Sequence, residues 1–251
     1  MLVDCHCHLS FPDFSLDLET LLRELKDKFY ALIESSVNLD NTQKALETFS
    51  NYDFFYFSLG FHPHYAQEFN KEVLKKYADL INQNKKIVAI GEIGLDIKSK
   101  VSLDKQKEVF LEFLDLAFQF QLPVVIHNRG FKESILGFLQ EKKIKKVVLH
   151  CFSQDLDFLE VAVKKNYFLS FSGNITYKNA RFLRECVKKA PSELILSETD
   201  SPFLAPQIIR GKKNNPLYVG EVIKEIALLK DREVEDIEEA VLKNAKEVFR
   251  I

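Results

Sequence analysis

The sequence lacks the features that mark several classes of protein. It has only four cysteines in 251 residues, and Cys5 and Cys7 are too close on one predicted strand to pair with each other. The thiols are therefore expected to be free, in a protein of the reducing cytoplasm. No apolar run reaches the ~18 residues needed to span a bilayer. No membrane association is expected, and no signal peptide is predicted before the first strand.

The chain also lacks an excess of positive charge. Its 35 basic and 37 acidic residues give a net charge of −2. A protein that coats nucleic acid usually carries a clear positive excess. The charge therefore argues against a broad basic surface, but it does not exclude nucleic acid bound locally at one cleft. No low-complexity tract occurs, and 46% hydrophobic residues are enough to bury a substantial core. We expect one domain over residues 1–251.

Short apolar runs alternate regularly with helical patterns along the whole chain. The runs are continuous, as in parallel strands that are covered on both faces. Strands are predicted over 3–9, 30–33, 54–59, 87–90, 123–126, 146–149, 167–171 and 194–197. Helices are predicted over 18–28, 41–50, 71–83, 103–121, 133–141, 156–164, 180–189, 219–230 and 234–248. Eight such units in about 250 residues predict a single-domain α/β fold, the (β/α)8 TIM barrel, with a doubly wound open sheet as the alternative.

The predicted strands end in histidines and carboxylates. His6 and His8 share one face of the first strand, because side chains alternate along a strand. The polar residues at strand ends are His6, His8, His62, His64, Glu92, His127, His150 and Asp200. They include all six histidines of the chain. A buried, hydrogen-bonded core role explains any one of them, but their joint placement at the functional face of a barrel favours a site.

This set of residues suits a metal centre. Imidazole nitrogen and carboxylate oxygen together bind zinc, manganese, iron or magnesium. Four histidines and two carboxylates exceed the needs of one tetrahedral ion. The surplus favours two ions that share a carboxylate, an arrangement that clamps both sides of a phosphoryl displacement.

Six short motifs contain these residues, in order along the chain. They read Asp-Cys-His-Cys-His-Leu at 4–9, Gly-Phe-His-Pro-His at 60–64, Gly-Glu-Ile-Gly-Leu-Asp at 91–96, Pro-Val-Val-Ile-His-Asn-Arg at 123–129, His-Cys-Phe-Ser at 150–153 and Glu-Thr-Asp-Ser-Pro-Phe-Leu-Ala-Pro at 198–206. The ordered set closely resembles the TatD family of metal-dependent deoxyribonucleases. The chain departs from the family's usual pattern at Ile97, at Gln154 and in the Lys-Lys-Asn-Asn stretch at 212–215, none of which contains a predicted ligand.

The resemblance implies a TIM barrel of the amidohydrolase-like metal-dependent hydrolases. It implies two divalent ions per subunit (Mg²⁺, Mn²⁺ or Zn²⁺), with Glu92 placed to bridge them. The implied ligands are His6, His8, Glu92, His127, His150 and Asp200. The implied activity is that of an exo- or endodeoxyribonuclease, with 3′-to-5′ exonuclease action on single-stranded ends as the implied preference. RNA is left open as a substrate. No obligatory protein partner is expected.

Catalysis is expected to depend on Glu92 and Asp200. Two ions lower the pKa of a shared water from ~15.7 towards neutrality, which supplies hydroxide to attack phosphorus. Asp200 is expected to orient this nucleophile or to accept its proton.

Four residues are predicted to bind substrate, namely His62, His64, Arg129 and Arg210. For the histidines the alternative is loop scaffolding. Arg129 is expected either to hold a phosphate or to form a salt bridge with a carboxylate. Arg210 either tracks a DNA backbone or belongs to a solvated loop. Three phenylalanines near the cleft in sequence, Phe11, Phe14 and Phe61, either stack on bases or pack in the core.

Two other functions stay open. The same kind of metal centre can hydrolyse other substrates, such as an amide, a lactone or a small phosphoester. A metal-bound scaffold without turnover is the third possibility, and retention of every predicted ligand argues against it.

Overall fold

Eight short strands of buried, mostly apolar residues lie parallel to one another in chain order, each beside the next. The computed structural model describes residues 1–251. The strands are β1 (Leu2–Cys7), β2 (Phe29–Ser35), β3 (Phe55–Leu59), β4 (Ile87–Asp96), β5 (Val124–Arg129), β6 (Val147–Leu149), β7 (Phe168–Phe171) and β8 (Ile195–Ser197). This order confirms the predicted (β/α)8 barrel and excludes a doubly wound sheet, because chain order does not reverse at any point.

Nine helices follow the strands and cover the barrel. They are α1 (Leu18–Lys26), α2 (Leu39–Phe49), α3 (Lys71–Gln83), α4 (Leu103–Phe120), α5 (Lys132–Glu141), α6 (Leu156–Lys164), α7 (Arg181–Lys189), α8 (Val219–Lys230) and α9 (Val234–Phe249). Short 3₁₀ turns, which the apolar pattern does not reveal, occupy several loops at the carboxyl ends of the strands. None of the helices is both long enough and apolar enough to cross a membrane.

Polar side chains define where several helices begin. Asn38, Asn70, Ser102 and Asp155 each accept a hydrogen bond from the backbone N–H three residues further on. Such caps satisfy N–H groups that have no partner within the helix. The loops that leave the strand ends are therefore fixed where they meet the helices.

The barrel closes between its first and last strands. The N–H of Asp200 donates to the carbonyl of His6 at 2.9 Å, and the N–H of His8 donates to the carbonyl of Ser201 at 2.8 Å. The Ser197 hydroxyl donates to the carbonyl of Val3 at 3.2 Å. This seam places residues near the two ends of the chain side by side.

An aromatic cluster packs helices α3 and α4 against the barrel. Phe113 of α4 contacts Phe61, Phe69 and Tyr77, with ring centroids 5.0–6.0 Å apart. All four rings are buried, as is Phe14. Of the two readings open for Phe14 and Phe61, core packing is therefore the one observed.

Two glycines of β4 permit close approach to its neighbour β5. A Cβ on Gly91 would lie 2.5 Å from the Cβ of Val125. Gly94 has φ +151°, and a Cβ there would lie 1.8 Å from the carbonyl oxygen of His127. The register between these strands also shifts between Ile90 and Ile93, and such a bulge re-aims the intervening side chains. Glu92 lies in this segment.

Candidate metal centre

His6 and His8 project to the same side at the end of β1. Their Nε2 atoms lie 3.1 Å apart, and both side chains are buried. Ser35, at the end of β2, faces both outer nitrogens. Its carbonyl accepts from His8 Nδ1 at 2.7 Å, and its hydroxyl lies 3.1 Å from His6 Nδ1. Because the outer nitrogen of His8 faces this carbonyl, it keeps its proton when the ring is neutral, and Nε2 then presents a lone pair.

Asp200 joins this pair from the last strand. Its Oδ1 lies 3.4 Å from His8 Nε2 and 3.7 Å from His6 Nε2. Behind them, the buried Asp4 accepts from the N–H groups of Thr199 at 2.9 Å and of His6 at 3.2 Å, which ties β1 to the end of β8. The closed seam thus brings His6, His8 and Asp200 together, and their role as ligands stays a prediction.

Glu92 lies between two groups of imidazoles. Its Oε2 is 3.4 Å from His6 Nε2 and 3.7 Å from His8 Nε2. Its Oε1 is 2.6 Å from His127 Nδ1 and 3.0 Å from His150 Nε2. The side chain is buried, and each carboxylate oxygen faces a different group. This is the placement that a bridging ligand requires.

Two further carboxylates orient the second group. Asp96 Oδ2 lies 3.1 Å from His127 Nε2, and Glu198 Oε1 lies 3.0 Å from His150 Nδ1. Both carboxylates are buried. A carboxylate that holds the outer nitrogen fixes the ring and its tautomer, so the inner nitrogen is directed at Glu92 as a ligand would be.

The spacing of the donor atoms around His6 and His8 fits a divalent ion. Four ligands at 2.0–2.1 Å from zinc, at the corners of a tetrahedron, lie ~3.3–3.4 Å from one another. The donor atoms of His6, His8 and Glu92 are 3.1–3.7 Å apart, and Asp200 Oδ1 lies 3.4–3.7 Å from the two histidine nitrogens. The second group offers two nitrogens beside Glu92 Oε1. Nitrogen with carboxylate oxygen suits zinc or manganese and leaves magnesium feasible.

The buried imidazoles and carboxylates of the centre shift one another's pKa values. Burial acts to raise the pKa of Glu92, but the imidazoles of His150 and His62 outweigh it and hold that pKa well below its usual value. Burial lowers the pKa of His6 to about 4. Burial acts in the same direction on His8, but Asp200 and Glu92 outweigh it and raise the pKa of His8 to about 9. A metal ion that bound His8 would therefore have to displace a proton from it.

His62 and His64 lie at the edge of the second group. His62 Nε2 is 3.6 Å from Glu92 Oε1, and its Nδ1 accepts the backbone N–H of His64 at 3.2 Å. Burial lowers the pKa of His62 to about 3, so the ring is neutral and its proton lies on Nε2. In this geometry the Nε2–H of His62 faces Glu92. A ring nitrogen of His62, a Glu92 oxygen and a His127 nitrogen also lie within 4.8 Å of one another, close enough to share an ion. His64 is exposed and its Nε2 lies 3.2 Å from Asp96 Oδ2.

Two exposed arginines lie on the same face. Arg129, at the end of β5, makes no ion pair, so the alternative of a salt bridge to a carboxylate is not the arrangement observed. Arg210 has no carboxylate partner either, and its guanidinium lies 4.4 Å from the centre of the Tyr177 ring. Lys213 of the same loop is bound to Asp17 at 2.8 Å. Both arginines are free to meet an anion, and their contact with substrate stays a prediction.

Two residues that position the centre were not singled out from the sequence. Ser35 orients His6 and His8, and Glu34 accepts the N–H groups of Leu9 at 2.8 Å and Ser10 at 2.9 Å, which fixes the turn after His8. The available signal was the polar run that directly follows the apolar run of β2. Its partners lie on β1, and they become visible only once the register between β1 and β2 is known.

Comparison with known proteins places the chain in a family. A family model described as "TatD related DNase" matches residues 3–250. The chain is 38% identical over its full length to all of the uncharacterized metal-dependent hydrolase YabD of Bacillus subtilis. It is 33% identical over 99% of its length to 96% of an uncharacterized metal-dependent hydrolase of Methanocaldococcus jannaschii.

A solved structure agrees with this assignment. The crystal structure of YjjV, a TatD homologue from Escherichia coli, superimposes with a TM-score of 0.93 at 29% identity, covering 100% of this chain and 98% of that one. The whole-chain family match and these relatives show that the chain belongs to the TatD-related DNase family and is one of its metal-dependent hydrolases.

Proposed function

We propose that the protein is a divalent-metal-dependent deoxyribonuclease that acts as a 3′-to-5′ exonuclease on single-stranded ends. The observation that carries this proposal is the position of Glu92, whose two oxygens face two separate groups of histidine nitrogens. A carboxylate placed this way suits a two-ion centre, and two-ion centres suit displacement at phosphorus. The family description supports the same substrate class.

Two ions of Mg²⁺, Mn²⁺ or Zn²⁺ are proposed for the centre. His6, His8 and Asp200 would hold one, His127 and His150 would hold the other, and Glu92 would bridge them. When bound, such ions lower the pKa of water and offset the charge that develops on phosphoryl oxygens.

Asp200 is proposed to handle the proton of the attacking water. Its carboxylate is the candidate ligand side chain of the His6–His8 group that is open to the cleft, with 14% exposure against 0–3% for the two histidines. An open carboxylate can both orient a water and accept a proton at Oδ2 while Oδ1 stays with the histidines.

The substrate phosphate is proposed to meet cationic and donor groups on the His127 side. His62 offers an Nε2–H beside Glu92, and Arg129 offers an unpaired guanidinium at the end of β5. Arg210, on the β8 side, is proposed to contact the DNA backbone further from the scissile phosphate. His64 lies between these groups and solvent. Donors fixed near the centre suit an anionic substrate better than a neutral amide.

One experiment separates this proposal from its competitors. Protein stripped with a chelator is resupplied with Mg²⁺, Mn²⁺ or Zn²⁺ and incubated with end-labelled single-stranded DNA, RNA, and generic ester and amide substrates. We expect DNA to shorten from its 3′ end only when metal is present. Turnover of esters or amides without DNA cleavage supports the alternative hydrolase, and metal binding without any turnover supports a scaffold.

Variants at two glutamates complete the test. Glu92→Gln is expected to abolish the metal-dependent cleavage. Glu47→Gln serves as the matched control, because Glu47 is exposed on α2 and makes no ion pair. Cleavage that survives Glu92→Gln contradicts the proposed mechanism.

A further inference from the structure

Phe203 is a large apolar side chain left half exposed beside the candidate centre. It follows Asp200 by three residues, and 51% of its surface is open to solvent. Its ring centroid lies 6.2 Å from that of His8. A single exposed apolar residue is unremarkable on a protein surface. What distinguishes Phe203 is its place at the mouth of the cleft and the way it is held.

The backbone of Phe203 is fixed on both sides. Its N–H donates to the carbonyl of Asp200 at 2.9 Å. Its own carbonyl accepts from Asn214 Nδ2 at 2.8 Å, and the same amide donates to the carbonyl of Thr199 at 2.9 Å. Asn214 is fully buried. The backbone that carries the ring is therefore held in position relative to Asp200, so a ligand that packs on the ring need not order this loop.

Phe11 provides a second aromatic wall at right angles to the first. It stacks on His8 with centroids 4.8 Å apart and an interplanar angle of 20°. The Phe203 ring lies 6.1 Å from Phe11 at 77°. The two rings form an aromatic corner next to a candidate metal ligand. A planar ring that enters this corner can lie flat on one wall and meet the other edge-on.

We propose that the aromatic corner of Phe203 and Phe11 stacks a nucleobase of the strand end that is being cut. This inference rests on the proposed nuclease function and narrows it, because it requires a substrate that carries a base beside the scissile phosphate. Stacking on an aromatic ring tolerates every base, since each has a π face, and it is worth roughly 1–3 kcal/mol per base in single-strand binding. The aromatic corner would therefore help the enzyme to bind the ends of DNA strands regardless of their sequence.

The test compares two single-stranded oligonucleotides that differ only at the 3′ end. One carries normal nucleotides throughout, and the other carries abasic residues at its last three positions. The wild-type protein, loaded with metal, is expected to show a kcat/KM ~5- to 150-fold higher for the strand with bases. Phe203→Ala and Phe203→Leu are expected to bring this ratio close to one, whereas Phe203→Trp keeps it.

Phe118→Ala is the matched control. Phe118 is a phenylalanine of similar exposure, 60%, in the last turn of α4. The ratio is expected to be unchanged in this variant. Leucine keeps apolar bulk without a π face, so a ratio preserved in Phe203→Leu overturns stacking.

The outcomes separate the two levels of the proposal. A wild-type enzyme that cleaves both strands equally well overturns the aromatic corner as a base site and leaves the nuclease function standing. A wild-type enzyme that cleaves neither strand overturns the nuclease function and the inference with it.

Discussion

Asp96 holds two imidazoles of the candidate centre, and its replacement by asparagine tests how that centre is organised. Its Oδ2 accepts from His127 Nε2 at 3.1 Å and from His64 Nε2 at 3.2 Å, and its Oδ1 accepts the N–H of Lys98 at 2.6 Å. Asparagine has one acceptor oxygen. Its NH₂ group must therefore face either Lys98 or the two histidines, so the N–H of Lys98 loses its acceptor in the first case and both histidines lose theirs in the second.

The expected loss follows from two opposing effects. Hydrogen bonds to a charged group contribute about 1.5–3 kcal/mol each, so the ring of His127 loses much of its orientation. However, the carboxylate of Asp96 also raises the pKa of His127 against the effect of burial. Its removal is therefore expected to lower that pKa, so that a proton competes less strongly with the metal for His127. The first effect is the larger, because substitutions of such supporting groups typically weaken metal binding 10–100-fold.

The measurement is a metal titration by calorimetry on wild type and Asp96→Asn. We expect one ion to bind ~10–100-fold more weakly and the ion at His6 and His8 to be unaffected. Asp53→Asn is the matched control, because Asp53 is exposed and makes no hydrogen bond or ion pair through its side chain. An unchanged affinity in Asp96→Asn, or an equal loss for both ions, refutes the assignment of Asp96 to the His127 side.

Three further predictions concern the backbone, the proton acceptor and pH. Gly94→Ala forces a Cβ against the His127 carbonyl and is expected to lower the free energy of unfolding by ~2 kcal/mol or more in urea denaturation, whereas Gly137→Ala in α5, with nothing within 4 Å, is expected to raise it by up to ~1 kcal/mol. A Gly94→Ala variant as stable as wild type would show that β4 and β5 need no close approach. Asp200→Asn is expected to keep the fold, by circular dichroism, while losing most turnover, and near-normal hydrolysis contradicts its role. In the metal-free protein the pKa of His8 is raised from 6.5 to about 9, so the stability it contributes is complete below pH ~6.5 and is lost as pH rises through ~9. The gap in Tm between metal-loaded and metal-free protein should therefore widen from pH 6.5 to 9, and a constant gap would argue against proton competition at His8.

The apolar pattern was enough to predict the barrel. Each strand is a short continuous run bounded by polar residues, and chain order alone arranges eight such units around a barrel. The predicted bounds differ most at β4, which runs to Asp96 rather than ending at residue 90. The glycines at 91 and 94 interrupt the apolar run, although in the structure they permit close packing of β4 on β5.

Strand ends revealed the histidines and Glu92, because function at the carboxyl face of a barrel depends on residue type and position along the chain. The supporting contacts needed the structure. Ser35 and Glu34 act on residues of β1, and Asn214 acts on the loop that carries Phe203. Such contacts depend on the register between strands and on loop geometry. Neither can be predicted from the spacing of residues within one segment of the sequence.

Anomalous scattering measures directly whether Glu92 bridges two ions. Crystals grown with Mn²⁺ or Zn²⁺ are predicted to show two peaks, one on each side of the Glu92 carboxylate. One peak should lie among His6, His8 and Asp200, and the other beside His127 Nδ1 and His150 Nε2. A single peak, or peaks that do not contact Glu92, would contradict the account.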